Sequence, residues 1–499
     1  MLHAQHTYYL NNADGSDNNS GISPGKAWKT IDKINHVILN RGDKVLLKAG
    51  QTFEGNISLD SMDNGNAQYA INISTYGKGR AIIKAGTATG IFADNISYIN
   101  ISNLYIVGDG VERNEGSGIH FFSDRTDHSC KRIRIDNCIV EGFHEYGIVF
   151  GCAEDEAVKG YDDVRITKCS VLLNGEAGIA SYGGQTSFHH TNFYVGNCRA
   201  FLNKGIVEKT ESHSGNGIVM SGVENLLIEN CEAYDNGENN RCTAGGPVGI
   251  WMWLCKNGVI QHCESHHNHA GLTKDGGGFD IDGGSSNCIL QYNYSHDNEG
   301  AGFLLAEYGA VLPFTDNTIR FNISENDGRK NSYGCISIWG ADSAHCVNNS
   351  YIYNNTIYLT DSNIVDGMPA AVTLFENNFK HVLITNNIFC ASKETRILNA
   401  DAVFDTSAIY FLANNYGGTN WKTTDPSQEI YNGIKKDDFI IPVFSSGLKG
   451  PEKFHLKNAA AFENKGIDLK KVFGIDTGDR DFFGKRIKQN SHFLGAALQ

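Results

Sequence analysis

A repeat of about thirty residues constrains this chain more than any other feature. The segments "IRIDNCIVEG" (133–142), "VRITKCSVLL" (164–173), "FYVGNCRAFL" (193–202), "LLIENCEAYD" (226–235), "GVIQHCESHH" (258–267), "ILQYNYSHD" (289–297), "TIRFNISEN" (318–326), "YIYNNTIYL" (351–359) and "VLITNNIFC" (382–390) share one column. It runs Cys138, Cys169, Cys198, Cys231, Cys263, Asn293, Asn322, Asn355, Asn387, with gaps of 31, 29, 33, 32, 30, 29, 33 and 32 residues. Leu104 starts the column one repeat earlier. Each period carries a second short stretch, usually opening on glycine, such as "GIVMSG" (217–222), "GIWMWL" (249–254), "GFDIDG" (278–283) and "GFLLAE" (302–307). Apolar residues alternate there with period 2, which is strand and not helix. A unit this short cannot bury its own apolar face and must stack on the next. The expected architecture is all-β: a single-stranded parallel β-helix of ten or more coils, with like residues piled in columns about 4.8 Å apart.

The column explains the cysteines. Small thiols and amides suit interior ladders. In-register parallel side chains have poor geometry for bridging, so the thiols are expected to be reduced. Matches to the glycosylation pattern, such as Asn293-Tyr294-Ser295, fall in the same strands and read as ladder residues. The ends depart from the repeat. Residues 1–60 read as an N-terminal cap with a strand, a polar loop and a short amphipathic helix. Residues 61–400 carry the coils, and 401–499 read as a C-terminal cap folded back on them ("NAAAFENKGIDLKK", "RDFFGKRIKQNSHFLGAALQ").

A formal net charge of −14 argues against nucleic acid as a partner, because phosphates need a basic stripe. It leaves acidic glycans open, since a local basic cleft can sit on an acidic protein. No stretch approaches the roughly 20 apolar residues of a membrane span. "LHAQ" near the start resembles the end of a secretory leader, so a secreted, periplasmic or cell-surface location is expected. A monomer is expected.

The opening "YYLNNADGSDNNSGISPGKAWKTI", the coils and the closing "DFFGKR…FLGAAL" together resemble secreted right-handed parallel β-helix proteins of the pectate-lyase-like superfamily. The resemblance spans nearly the whole chain. It implies a right-handed coil and work on carbohydrate. It does not select one chemistry, because the superfamily includes polysaccharide lyases, glycoside hydrolases, esterases and non-catalytic binders.

Chemistry concentrates in "KDGGGFDIDGGSSNC" (274–288). In the glycine-opening strands the second and fourth positions are apolar save Ser181, so they face the core and the third and fifth face outward. That puts Asp280 and Asp282 side by side on an outer sheet face, although aspartate disfavours strands and like charges repel. Trp251 and Trp253 stand on the adjoining coil, and Trp339 stands two coils beyond. Rings beside carboxylates suit a sugar cleft. The bland alternative, aromatics merely buried under a loop, is preferred for Phe122 and Phe375. Tyr182 occupies an equivalent outward position. Long entry loops bring Lys209, His213, Arg241 and His269 toward the rim as further binding candidates, together with Glu211, Arg329 and Lys330. "HCESHHNH" (262–269) hints at zinc. Cys263 belongs to the inward ladder while its neighbours point outward, so a closed four-ligand site is not expected.

Strand residues i and i+2 lie roughly 6.6 Å apart, and inverting glycosidases hold their carboxyls about 6.5–9.5 Å apart. Paired carboxylates also drive their pKa values apart, keeping one protonated as an acid. Asp280 and Asp282 are therefore the expected catalytic pair, with Asp275, Glu307 and Lys274 as further candidates. "GFDIDGG" lacks the Asn-Thr-Asp, Asp-Asp and Gly-His-Gly signatures of polygalacturonases. The reading reached is a glycoside hydrolase needing no cofactor, with an oligosaccharide or polysaccharide substrate. A polysaccharide lyase is the rival, with Lys274, Arg241 or Lys209 as base and calcium held by Asp280, Asp282 and Asp275. A glycan-binding β-helix without catalysis is the third reading.

Overall fold

A computed structural model of the chain describes residues 5–376, 378–392, 395–400, 405, 407–418, 440–488 and 491–497. It divides into two compact units, Met1–Ala244 and Gly245–Gln499. Each is a parallel β-solenoid in which three short strands per coil feed three sheets.

The first unit opens on the strand Thr7–Leu10, which pairs in parallel with Lys44–Lys48. The helix expected near the start is a 3₁₀ segment, Ile31–His36, that buries Ile31 and Ile34. One sheet of this unit runs Ile57–Leu59, Ile91–Asp94, Ile119–Ser123, Tyr146–Cys152, Ala177–Tyr182 and Asn216–Ser221. In the second unit the corresponding sheet runs Val248–Trp253, Gly277–Asp282, Phe303–Glu307, Gly334–Gly340, Ala370–Phe375 and Arg396–Ala400. The coil pattern continues through Ile409–Leu412 and Asn415–Gly418, past position 400.

The corner before each column residue explains the asparagine-rich sequence. Asn137, Lys168, Asn197 and Asn230 in the first unit, and Tyr292, Phe321, Asn354 and Asn386 in the second, all have left-handed backbones with φ between 50° and 57°. Asparagine is among the few side chains that tolerate this conformation. The column residue then turns inward. In the first unit Cys138, Cys169, Cys198 and Cys231 are buried, and all thirteen cysteines of the chain are unbridged. In the second unit the column becomes an amide ladder. Asn293, Asn322, Asn355 and Asn387 each donate through Nδ2 to the Oδ1 of the next rung, at 3.2, 3.1, 2.9 and 2.9 Å, ending on Asn414.

The alternation also holds on the site sheet. Ile250, Met252, Phe279, Ile281, Phe303, Leu305, Ile336 and Ile338 are all 0% exposed. Phe279 stacks on Phe303 with ring centroids 5.3 Å apart. The closing segment packs against the strands of the second unit. Phe454 and Ala496 join Tyr294 and Ile323. Phe493 and Leu469 join Phe321 and Tyr353. Its α-helix Leu469–Phe473 starts on Asp468, whose carboxylate accepts from the Lys471 amide at 3.0 Å.

Candidate functional site

The site is built on the outer face of the first three strands of the second unit's sheet, Val248–Trp253, Gly277–Asp282 and Phe303–Glu307. Parallel register places Trp251 beside Asp280 and Trp253 beside Asp282. On the other side Asp280 meets Leu304. One coil further, Leu304 pairs with Ser337 and Ala306 with Trp339. The outward position of the two aspartates is as the alternation requires, but they are not equally open. Asp280 and Trp251 are each only 3% exposed, whereas Asp282 and Trp253 are half-buried. The expectation of an open Asp280–Trp251 surface is corrected here. The next coil offers Leu304 and Ala306, and these form a buried outer cluster with Ala301 and Tyr333. Trp339 and Phe375 pack against the same cluster, so Trp339 is part of this cover and not a free platform. Phe375 meets Tyr333 edge-on at 5.2 Å, the structural role expected of it.

Asp275 reaches the same place from the preceding loop. Its Oδ1 accepts from the Tyr333 hydroxyl and its Oδ2 from the Gly246 amide at 2.6 Å. Two further ties hold that loop. The Lys330 ammonium donates to the Gly271 carbonyl at 2.6 Å, and Asn331 Nδ2 donates to the Thr273 carbonyl at 2.6 Å. Gly246 can be nothing larger, because a Cβ there would stand 1.8 Å from the Lys274 carbonyl oxygen.

Electrostatics separate the three carboxyls. Asp280 is pushed well above the ordinary carboxylate range by burial first, and then by the neighbouring Asp282 and Asp275. Its Oδ1 has no hydrogen-bond partner. A buried carboxyl without donors is stable only in its neutral form. Asp282 is pushed up to about 8, chiefly by burial. The charges of Asp275 and Glu307 add to this, while the Gly283 amide and Lys274 oppose it. That amide donates to Asp282 Oδ1 at 2.7 Å. Asp282 therefore favours its protonated form in a half-open position, while Asp275 is held by two donors.

Glu307 faces the same region but is fully engaged. Its Oε1 accepts from the amides of Gly309 and Ala310, both at 2.7 Å, and its Oε2 accepts from Gly284 at 3.1 Å. It shapes the turn and biases Asp282 by its charge, so it is a positioning residue. Beside it opens a cavity of about 490 Å³ lined by Ala310, Val311, Pro313, Phe314 and His345.

Two residues at the lip escaped the sequence reading. Tyr308 stands edge-on to Trp253, with ring centroids 6.3 Å apart, and is 38% exposed. Its ring lies across Gly283, where a Cβ would come within 2.3 Å of it. Tyr308 follows its strand directly, so no alternation marked it. The signal available was the glycine pair after Asp282, which leaves room for a ring. His345 lies at the far side of the cavity, paired with Asp342 at 3.0 Å.

The other predicted binding residues, Arg241 apart, have their own partners. His269 pairs with Glu299 at 3.2 Å and sits in the loop lacing. Four belong to the first unit. The Lys209 ammonium donates to Glu176 at 2.5 Å. His213 Nδ1 lies 3.2 Å from Asn216 Nδ2. The Tyr182 hydroxyl meets His120 Nε2 at 3.1 Å. Arg241 is exposed. Of the three aspartates considered as calcium ligands, Asp275 already has both carboxylate oxygens on hydrogen-bond donors.

Comparison with known proteins agrees with this fold. Residues 185–357 match the family model described as a right handed beta helix region. The chain is 25% identical, over 97% of its length, to the lacto-N-biosidase of Bifidobacterium longum subsp. longum, but spans only 36% of that protein. A stretch covering 16% of the chain is 33% identical to alpha-1,3-galactosidase A of Akkermansia muciniphila, of which it covers 13%. The crystal structure of a lacto-N-biosidase from Eubacterium ramulus superposes with a TM-score of 0.56 at 18% identity, over 82% of this chain and 68% of that one. The chain is a right-handed parallel β-helix protein, with the likeness to carbohydrate-active relatives that its sequence suggests.

Proposed function

We propose that the chain is a glycoside hydrolase of the lacto-N-biosidase kind, with Asp282 as general acid and Asp275 as the opposing carboxylate. The observation that supports this is the contrast between two carboxyls carried by one loop and the strand that follows it. One carboxyl holds its proton up to a pH of about 8 beside the rings of Trp253 and Tyr308. The other is fixed by Tyr333 and Gly246. Glycosidic cleavage needs such a division, with a protonated acid at the departing oxygen and an ionised group at the sugar carbon. The similarity over almost the whole chain to a lacto-N-biosidase supports both the reaction class and the substrate.

In this reading a sugar ring lies on Trp253 and Tyr308. Asp282 protonates the glycosidic oxygen as the bond breaks. Asp275 either attacks the sugar carbon or draws a proton from a water that does. Asp280 stays neutral beneath them and touches no substrate. It spaces the two working carboxyls and excludes water. An exported location belongs to the same proposal. The test is hydrolysis of p-nitrophenyl lacto-N-bioside, and of oligosaccharides ending in the same unit, followed by reducing-end release and by ultraviolet absorbance of an unsaturated sugar. Reducing ends without that absorbance, lost in Asp282→Asn, are expected. Absorbance rising with the reducing ends would make the protein a lyase. Binding without turnover would make it a lectin-like β-helix.

A further inference from the structure

The histidine-rich segment lies on a different sheet from the aspartates. Its strand, Glu264–His266, pairs in parallel with Tyr294–His296 on the next coil, placing His266 beside His296 and Glu264 beside Tyr294. Cys263 and Ser265 point inward and are buried, so Glu264 and His266 point outward by alternation. One ligand atom each from Glu264, His266 and His296 lies within 4.8 Å of the others. Among the described residues no other three-residue group of this kind occurs.

The arrangement is ordered beyond that proximity. The His266 and His296 rings are stacked, with centroids 4.6 Å apart and planes 9° from parallel; because imidazole lone pairs lie in the ring plane, one ring turns about its χ angles for both to face one ion. His296 Nε2 faces Glu264 Oε1 at 3.2 Å, and its Nδ1 faces Asp297 Oδ2 at 2.9 Å. A carboxylate behind a ligating imidazole is the usual device for fixing the ring's orientation. Tyr294 stacks against His296 at 4.6 Å, and its hydroxyl is anchored on Glu325 Oε2 at 2.6 Å.

We propose that Glu264, His266 and His296 form a binding site for a divalent transition-metal ion of the zinc class, with Asp297 orienting His296. Two imidazoles and one carboxylate suit zinc and its neighbours, whereas calcium and magnesium prefer all-oxygen surroundings. Four-coordinate ligands each about 2.0–2.2 Å from one ion lie about 3.3–3.6 Å apart, so the three atoms, which lie within 4.8 Å of one another, close on an ion by side-chain rotation. Three protein ligands leave one position for water. His267 borders the group, its Nδ1 2.8 Å from that of His266. The ion would tie two successive coils together and so staple the second unit.

The test uses the full-length protein, freed of metal by chelation. It is titrated with Zn²⁺ by calorimetry and with Co²⁺ by visible absorption at neutral pH. The wild type is expected to show one cobalt-imidazole spectrum per chain and a melting temperature raised by Zn²⁺. His266→Gln with His296→Gln should lose both effects. Asp297→Asn should bind about tenfold more weakly or worse. Glu264→Gln, a change at a half-exposed side chain, gives a second reading should the double variant fail to fold, and it too must lose the cobalt spectrum. Equal Co²⁺ spectra in wild type and Glu264→Gln, or no uptake by the wild type, would overturn the proposal.

Discussion

Two polar arrays in the second unit lie on opposite sides of its strands and follow opposite rules. Along the interior column, each asparagine from Asn293 to Asn387 has its Oδ1 and Nδ2 hydrogen-bonded. On the outer face, buried Asp280 has an oxygen with no partner, and Asp282 holds its proton up to a pH of about 8. Along the ladder, where polarity serves the fold, every amide is satisfied. On the outer face the unpaired oxygen belongs to buried Asp280, next to the half-open Asp282 and its aromatic neighbours, where chemistry is proposed.

The largest expected effect separates the arrays by function. Asp282→Asn should lower kcat/KM on a lacto-N-bioside about 10²–10⁴-fold, the range for a lost general acid, with the fold intact by circular dichroism. Next comes the ladder. Asn322→Ala strands the Asn293 amide and the Leu290 carbonyl and leaves Asn293 Nδ2 only its bond to the Ile260 carbonyl. At about 1–3 kcal/mol for each buried group left unpaired, unfolding in denaturant should shift by several kcal/mol. Activity per folded molecule should be unchanged. Trp253→Ala should raise KM about tenfold with little change in kcat, if the ring binds ground state and transition state alike.

The smallest effect is a gain. Asp280 is raised above its ordinary value in the folded state. As pH climbs through the ordinary carboxylate range, the unfolded chain gives up a proton that the folded chain keeps. Asp280 thus favours folding less and less up to its folded pKa. Asparagine does not titrate. Asp280→Asn should therefore melt roughly 1–3 °C higher than wild type at pH 8 and show a smaller advantage at pH 5. A variant less stable at pH 8 would give Asp280 a structural role.

The coils were legible because the repeat column and the period-2 alternation are written in residue type. Cys138, Asn293 and Phe279 sit inward as their positions require. The 3₁₀ segment Ile31–His36 and the extra coil through Gly418 were not, because element type and boundary depend on local backbone geometry. At the site, the strand pattern placed Asp280 and Asp282 on the outer face but did not separate the buried one from the half-open one. Alternation says which face a residue takes and not what covers it, and Tyr333 comes from a loop some fifty residues on in the chain. The histidine group was missed for a related reason. His296 joins Glu264 and His266 through the register between coils, not through spacing within "HCESHHNH".

The central claim is that Asp282 delivers the proton. It is tested most directly by comparing two leaving groups across pH. Wild type acting on a poor leaving group should lose kcat/KM as pH rises through about 8, the value for Asp282. Asp282→Asn should be nearly inactive on that substrate. It should retain close to wild-type turnover on the 2,4-dinitrophenyl glycoside, which departs without a proton, and lose the alkaline fall. An Asp282→Asn variant equally impaired on both substrates, or one that keeps the alkaline fall, would contradict the account and move the acid elsewhere.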